Sequence, residues 1–118
     1  MEMLYYHNPR CSKSCQGLEM LIQSGKPFQV KEYLKEPLTA TELDQLFHKL
    51  KKSPLEMIRK KEPIYKDLDM DIATMSSTDW IKVIIENPIL LERPILETKD
   101  TAIIGHPSEN FQKVLEKL

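Results

Sequence analysis

With 118 residues, 41% hydrophobic and 30% charged, the chain is long enough for one hydrophobic core and too apolar for a disordered segment, so a single domain over 1–118 is expected. A formal net charge of -1 gives no general attraction to nucleic acid or anionic lipid, and no apolar run approaches the roughly 18 to 20 residues that cross a bilayer. The opening Met1–Tyr6 lacks the basic start and apolar stretch of a signal peptide, so the expected location is the cytoplasm, without DNA or membrane partners.

Residues 3–6 read as a short buried strand, and the turn-forming His7-Asn8-Pro9-Arg10 leads into a helix from about Ser12 to Ser24. Leu18, Leu21 and Ile22 are expected on its inner face. Gly25 ends the helix in the left-handed position, and Pro27 opens an extended segment, Phe28 to Tyr33, read as a second strand.

A helical block follows at about 39–88, marked by one repeated start signal, a capping residue with an acid three positions on. Thr39 with Glu42, Ser53 with Glu56 and Ser76 with Asp79 each predict a separate helix, and Pro54 sits at the favourable first position of the second. Leu38 with Leu43 and Met75 with Trp80 have hydrophobic-staple spacing. His48 reads as a surface or packing residue, and Trp80 and the methionines as core.

After Pro88 the pattern changes. Pro94–Thr98 and Thr101–Ile104 read as two strands joined at Lys99-Asp100, Gly105 breaks the second, and Pro107 opens a last helix with Phe111, Val114, Leu115 and Leu118 inward. The predicted fold is α/β, a small mixed sheet in the order βα-β-[helical insertion]-ββα. Apart from the helical block, that is the element order of a thioredoxin or glutaredoxin core.

The two cysteines, Cys11 and Cys15, are too close to staple a fold, so reactivity or metal binding is the better reading. A thiol attacks as its thiolate, and Cys11 falls at the first turn of a helix, where backbone N–H groups and the dipole favour an anion. His7, Arg10 and Lys13 can add positive charge nearby, and Ser12 and Ser14 can add hydroxyl donors to an oxyanion held over the sulfur. Cys15 lies on the apolar stripe with Leu18 and Ile22, where core packing and a resolving redox role stand about even. Its pairing with Cys11 would require the first turn to unwind.

The run His7-Asn8-Pro9-Arg10-Cys11-Ser12-Lys13-Ser14, with Arg93-Pro94-Ile95 downstream, resembles the glutaredoxin-coupled arsenate reductases and their close relatives. The resemblance runs nearly end to end and includes Leu18-Glu19-Met20, Tyr33–Pro37, Met57–Glu62, Asn87–Ile95 and the late Pro107-Ser108-Glu109.

It implies that Cys11 attacks arsenate, that glutathione acts as co-substrate, and that glutaredoxin completes reduction to arsenite; no bound cofactor or metal and a monomeric protein are expected. Arg59 and Arg93 match two family arginines that bind the oxyanion, a task suited to a planar, permanently charged fork of donors. His7 would tune the cysteine, and Pro94 matches a structural cis-proline. Where typical family members carry a third arginine before the late Pro-Ser-Glu, this chain has Gly105-His106-Pro107. His106 would then face the anion without a fixed charge.

Three other readings remain open. With His106 in place of the third arginine, the chain could be a thiol oxidoreductase of the same family acting on a substrate other than arsenate. A redox-sensing branch of the same family regulates transcription by binding RNA polymerase, but it separates its paired cysteines by two residues rather than three. His7, Cys11 and Cys15 could instead contribute metal ligands at four-residue spacing, a pattern that is not a strong zinc signature.

Overall fold

The structure is a computed structural model that describes residues 3–68, 74–92 and 94–104. The chain forms two compact units, Met1–Glu36 with Arg93–Leu118, and Pro37–Glu92. The first carries the sheet and the second the helical block.

In the sheet unit the described elements are β1 (Met3–Tyr6), α1 (Ser12–Ser24), β2 (Phe28–Lys31), β3 (Ile95–Glu97) and β4 (Ala102–Ile104), with strand order β2-β1-β3-β4. β1 and β2 are parallel, which requires a crossover, and α1 is that crossover. β3 runs antiparallel to both β1 and β4, so the sheet is mixed. The β3–β4 hairpin closes where the Thr98 N–H donates to the Thr101 carbonyl at 2.7 Å. This is a thioredoxin-like α/β core with the helical unit inserted between β2 and β3. The expected last helix lies outside the described residues.

Side chains two apart on β1 share a face, and Met3 and Tyr5 pack with Leu21 of α1 and Leu96 of β3. Leu18, Met20, Phe28 and Ile103 close around this cluster. Tyr6 points the other way, and its hydroxyl donates to Glu97 Oε1 at 2.8 Å, giving a buried carboxylate a partner from the neighbouring strand.

Two boundaries differ from expectation. The second strand stops at Lys31, because the Glu32 carbonyl accepts from the N–H groups of both Lys35 and Glu36 and curls the chain into a turn. On α1 the buried positions are Ser14, Gly17 and Leu21, with Leu18 half-buried, whereas Ile22 is 57% exposed. The buried stripe is centred on small residues that let the helix lie close, which rotates Ile22 outward. Gly25 caps α1 at φ 70°, a left-handed conformation that explains the glycine.

The helical unit contains α2 (Ala40–Leu50), α3 (Pro63–Asp67) and α4 (Ser77–Glu86), with single 3-10 turns at Pro54–Met57 and Pro88–Leu90. Its core includes Leu43, Leu46, Phe47, Met57, Trp80, Ile84, Leu90 and Leu91. Capping boxes close the starts of α2 and α4, Thr39 with Glu42 and Ser76 with Asp79. The Ser53–Glu56 box also forms, yet it starts only the four-residue turn, not the full helix expected. A cap lowers the cost of a helix start but does not propagate it, and Ile58 turns extended to pair with Leu91.

Replacing Thr39 by alanine removes the side-chain acceptor for the Glu42 N–H, which it holds at 3.1 Å. The expected loss is about 1 kcal/mol of stability, read from the urea midpoint. An unchanged midpoint would contradict this role for the cap.

Candidate active site

The segment between β1 and α1 is an Asx turn built on Asn8. Its side-chain Oδ1 accepts the Arg10 N–H at 2.9 Å and its carbonyl accepts the Cys11 N–H at 3.0 Å. Cys11 therefore enters the N-cap position of α1 in an extended conformation, φ -103° and ψ 121°, and its carbonyl accepts the first helical hydrogen bond, from the Cys15 N–H at 3.0 Å. Its thiol does not close the cap itself. Cys11 is half-buried, and Ser12 and Lys13 beside it are exposed.

Ser14 is fully buried beneath this turn. Its hydroxyl accepts the Asn8 N–H at 3.0 Å and lies 2.7 Å from His7 Nδ1, while its carbonyl accepts the Tyr5 hydroxyl at 2.6 Å. Ser14 was expected to donate to a bound anion. The geometry instead engages its hydroxyl inside the loop, so the contribution it makes is to shape.

His7 is buried and stacks on Tyr5, with ring centroids 5.7 Å apart and an interplanar angle of 28°. Its N–H donates to the Lys31 carbonyl at 2.9 Å, tying the loop to the end of β2. Burial pushes the imidazole below its ordinary pKa, and the charge of Glu32 only partly opposes that shift. Burial thus favours the neutral imidazole and works against the positive charge expected of His7.

A group that is neutral when folded and titrates normally when unfolded links stability to pH. The unfolded chain binds the extra proton below its pKa of about 6.5, so stability is full above that pH and falls as pH drops. Melting curves from about pH 7.5 to 5 should show this decline, and His7→Gln should flatten its upper part. Identical slopes in the two proteins would remove His7 as the cause.

Cys15 is exposed, not part of the core, and its thiol lies 3.4 Å from the Pro9 carbonyl. Cys11 and Cys15 are not joined in a disulfide. Among the described residues no group of three or more His, Cys, Asp or Glu side chains is arranged to hold a metal ion.

Arg59 belongs to the helical unit. It lies in the extended segment after the 3-10 turn, where its N–H donates to the Leu90 carbonyl at 2.7 Å. Its Nε meets Glu62 Oε1 at 3.1 Å and its Nη1 meets Glu92 Oε1 at 3.5 Å, so two acids orient the guanidinium. His48, exposed on α2, bonds the Asp44 carbonyl at 2.7 Å. Arg93, the Arg93–Pro94 peptide and His106 lie outside the described residues.

Asn8 was read only as part of a turn, and the hydrogen bond from Tyr5 and the acids beside Arg59 were not foreseen. The Asn8-Pro9 pair carries a turn signal that identifies the first. Glu62 lies three residues from Arg59, a spacing that suggests a pair. Tyr5 and Glu92 act through packing that no local pattern reveals.

Among the described residues no helix is long and apolar enough to cross a membrane. The ArsC family model matches residues 6–114. The arsenate reductase of Neisseria meningitidis serogroup A is 38% identical over 97% of this chain and 98% of its own length. That of Haemophilus influenzae is 35% identical over 98% and 100%. The solved structure of the arsenate reductase from Vibrio cholerae superposes with a TM-score of 0.90 at 34% identity, covering 97% of this chain and 98% of that one. A cysteine presented at the head of α1 in a thioredoxin-like sheet thus coincides with full-length similarity to arsenate reductases, and the chain belongs to the ArsC family.

Proposed function

We propose that this protein reduces arsenate to arsenite through Cys11, with glutathione as co-substrate and glutaredoxin as the terminal electron donor. The observation that carries the reading is the presentation of Cys11, a half-buried cysteine at a helix N-cap behind a turn held by Asn8 and Ser14. Dipole and backbone donors there favour both a thiolate and an incoming oxyanion.

In the first step the Cys11 thiolate attacks arsenic(V), an As–S bond forms and one oxygen leaves as water. The glutathione thiol then displaces a second oxygen, again as water, so that arsenic carries two sulfurs. A glutaredoxin thiolate attacks the glutathione sulfur. The electron pair of the broken As–S bond stays on arsenic, which becomes arsenic(III), and the two thiols leave as a mixed disulfide. Hydrolysis of the remaining As–S bond releases arsenite and restores the Cys11 thiol.

Arg59 and Arg93 would hold the anion through these steps, with Ser12, Lys13 and His106 near it. Permanent charge on the arginines suits an anion whose charge shifts as oxygens leave. The test is NADPH oxidation in the presence of glutathione reductase, glutaredoxin and glutathione. Oxidation should depend on both arsenate and this protein. No arsenate-dependent signal, in a coupling system proven with another arsenate reductase, would reject the activity.

A further inference from the structure

A cleft of about 270 Å³ opens in the sheet unit between Asn8, Pro9 and Arg10 on one wall and Glu32, Leu34 and Lys35 on the other. Both walls are built before any ligand arrives. The first is the Asx turn with its two backbone closures, and the second is the turn in which the Glu32 carbonyl accepts from Lys35 and Glu36 at 2.9 Å each. The His7 N–H to Lys31 carbonyl bond holds the two segments together.

The chemistry of the lining is specific in kind. Arg10 and Lys35 offer two cations, Glu32 offers one carboxylate, and Pro9 and Leu34 offer apolar surface between them. The Lys35 ammonium lies 3.9 Å from Glu32 Oε1, both exposed enough to exchange that pairing for a ligand's. A ligand that satisfies all three charges bears two carboxylates and one ammonium joined by a short, partly apolar chain.

We propose that this cleft is the subsite for the thiol co-substrate, a small peptide thiol of that charge pattern, which is the pattern of glutathione. The assignment rests on the proposed reaction, in which such a thiol must reach arsenic held on Cys11. Arg10 and Lys35 receive its carboxylates and Glu32 its ammonium, and Cys11 follows Arg10 directly in the chain. A tripeptide seated here lies beside the loop that carries the reacting sulfur. The cleft itself makes and breaks no bond. It raises the local concentration of the thiol and orients it for As–S bond formation.

The test has one arm that does not depend on turnover. In an amide NMR titration with S-methylglutathione, which binds but cannot react, the expected shifts are at Asn8, Arg10, Leu34 and Lys35, and they should be lost in Lys35→Glu. In the coupled assay at saturating arsenate, Lys35→Glu should raise KM for glutathione about tenfold, leaving kcat and the KM for arsenate within about twofold. Lys35 is exposed, so neither Lys35→Glu nor the milder Lys35→Ala should disturb folding.

Shifts elsewhere or none at all, or an unchanged glutathione KM in Lys35→Glu, would overturn the assignment. Equal efficiency with an uncharged small thiol would do the same. Should the wild type fail to turn over arsenate, the proposed reaction falls, while the titration still decides the cleft.

Discussion

Cys11→Ser is expected to abolish arsenate-dependent NADPH oxidation, a loss on the order of 10⁴-fold or more, because a serine hydroxyl has no thiolate counterpart at neutral pH. The same variant isolates the second thiol. Wild-type protein treated with iodoacetamide near pH 7 should gain one label quickly and a second slowly, and Cys11→Ser should retain only the slow one. Cys11 sits at the N-cap of α1 and is the more buried of the two cysteines, so access alone would favour Cys15 and a faster Cys11 label reports thiolate character. Arsenate should slow the fast label by occupying the anion site. If both sites in the wild type react only as the pH approaches about 8.5, the thiolate is not favoured and the proposed mechanism loses its first step. Cys15→Ser should keep the activity, since electrons arrive from external thiols. Its loss of activity would favour an internal disulfide between the two cysteines.

Features written into adjacent residues were legible before the structure. The helix Ser12–Ser24 lies between an Asn-Pro turn and a glycine that needs a positive φ, and both of its ends are local chemistry. The same holds for the Thr39 and Ser76 caps and for the hairpin at Lys99-Asp100. Ser53 carries the same cap signature, with Glu56 accepting from its N–H and hydroxyl, but the length of the helical turn it starts depends on Ile58 finding Leu91, a partner 33 positions away that no local pattern encodes. Ile22 failed for a related reason. Helical periodicity places Leu18, Leu21 and Ile22 on one side, yet the sheet decides which part of that side lies closest.

The candidate site divides along the same line. Cys11 was legible because a polar turn followed by a helix start is an unusual setting for a buried cysteine. His7 is different, since its charge state follows from burial against Tyr5, and only the folded sheet brings that about. The setting of Arg59 was half legible. Glu62 stands at a spacing of three, whereas Glu92 arrives from the far side of α4 in the chain.

Ser14→Ala should separate shape from contact at the site. Alanine fits the space and leaves the Tyr5 to Ser14 carbonyl bond intact, but the Asn8 N–H and His7 Nδ1 both lose the hydroxyl that joins them. Leaving buried polar groups without their partner costs about 1 to 3 kcal/mol each, so the urea midpoint should fall by an amount well outside error. The loosened turn should also slow the fast iodoacetamide label, since Asn8 no longer has its N–H anchored while its carbonyl receives the Cys11 N–H. Tyr5→Phe removes the other bond to Ser14, and the two substitutions should be non-additive because they act on one connected group of side chains. A stability change below about 0.5 kcal/mol in Ser14→Ala, with the labelling rate unchanged, would mean the Cys11 loop keeps its shape without this hydroxyl. The direct oxyanion contact first expected of Ser14 would then regain its place, because the serine would have no structural task left to explain it.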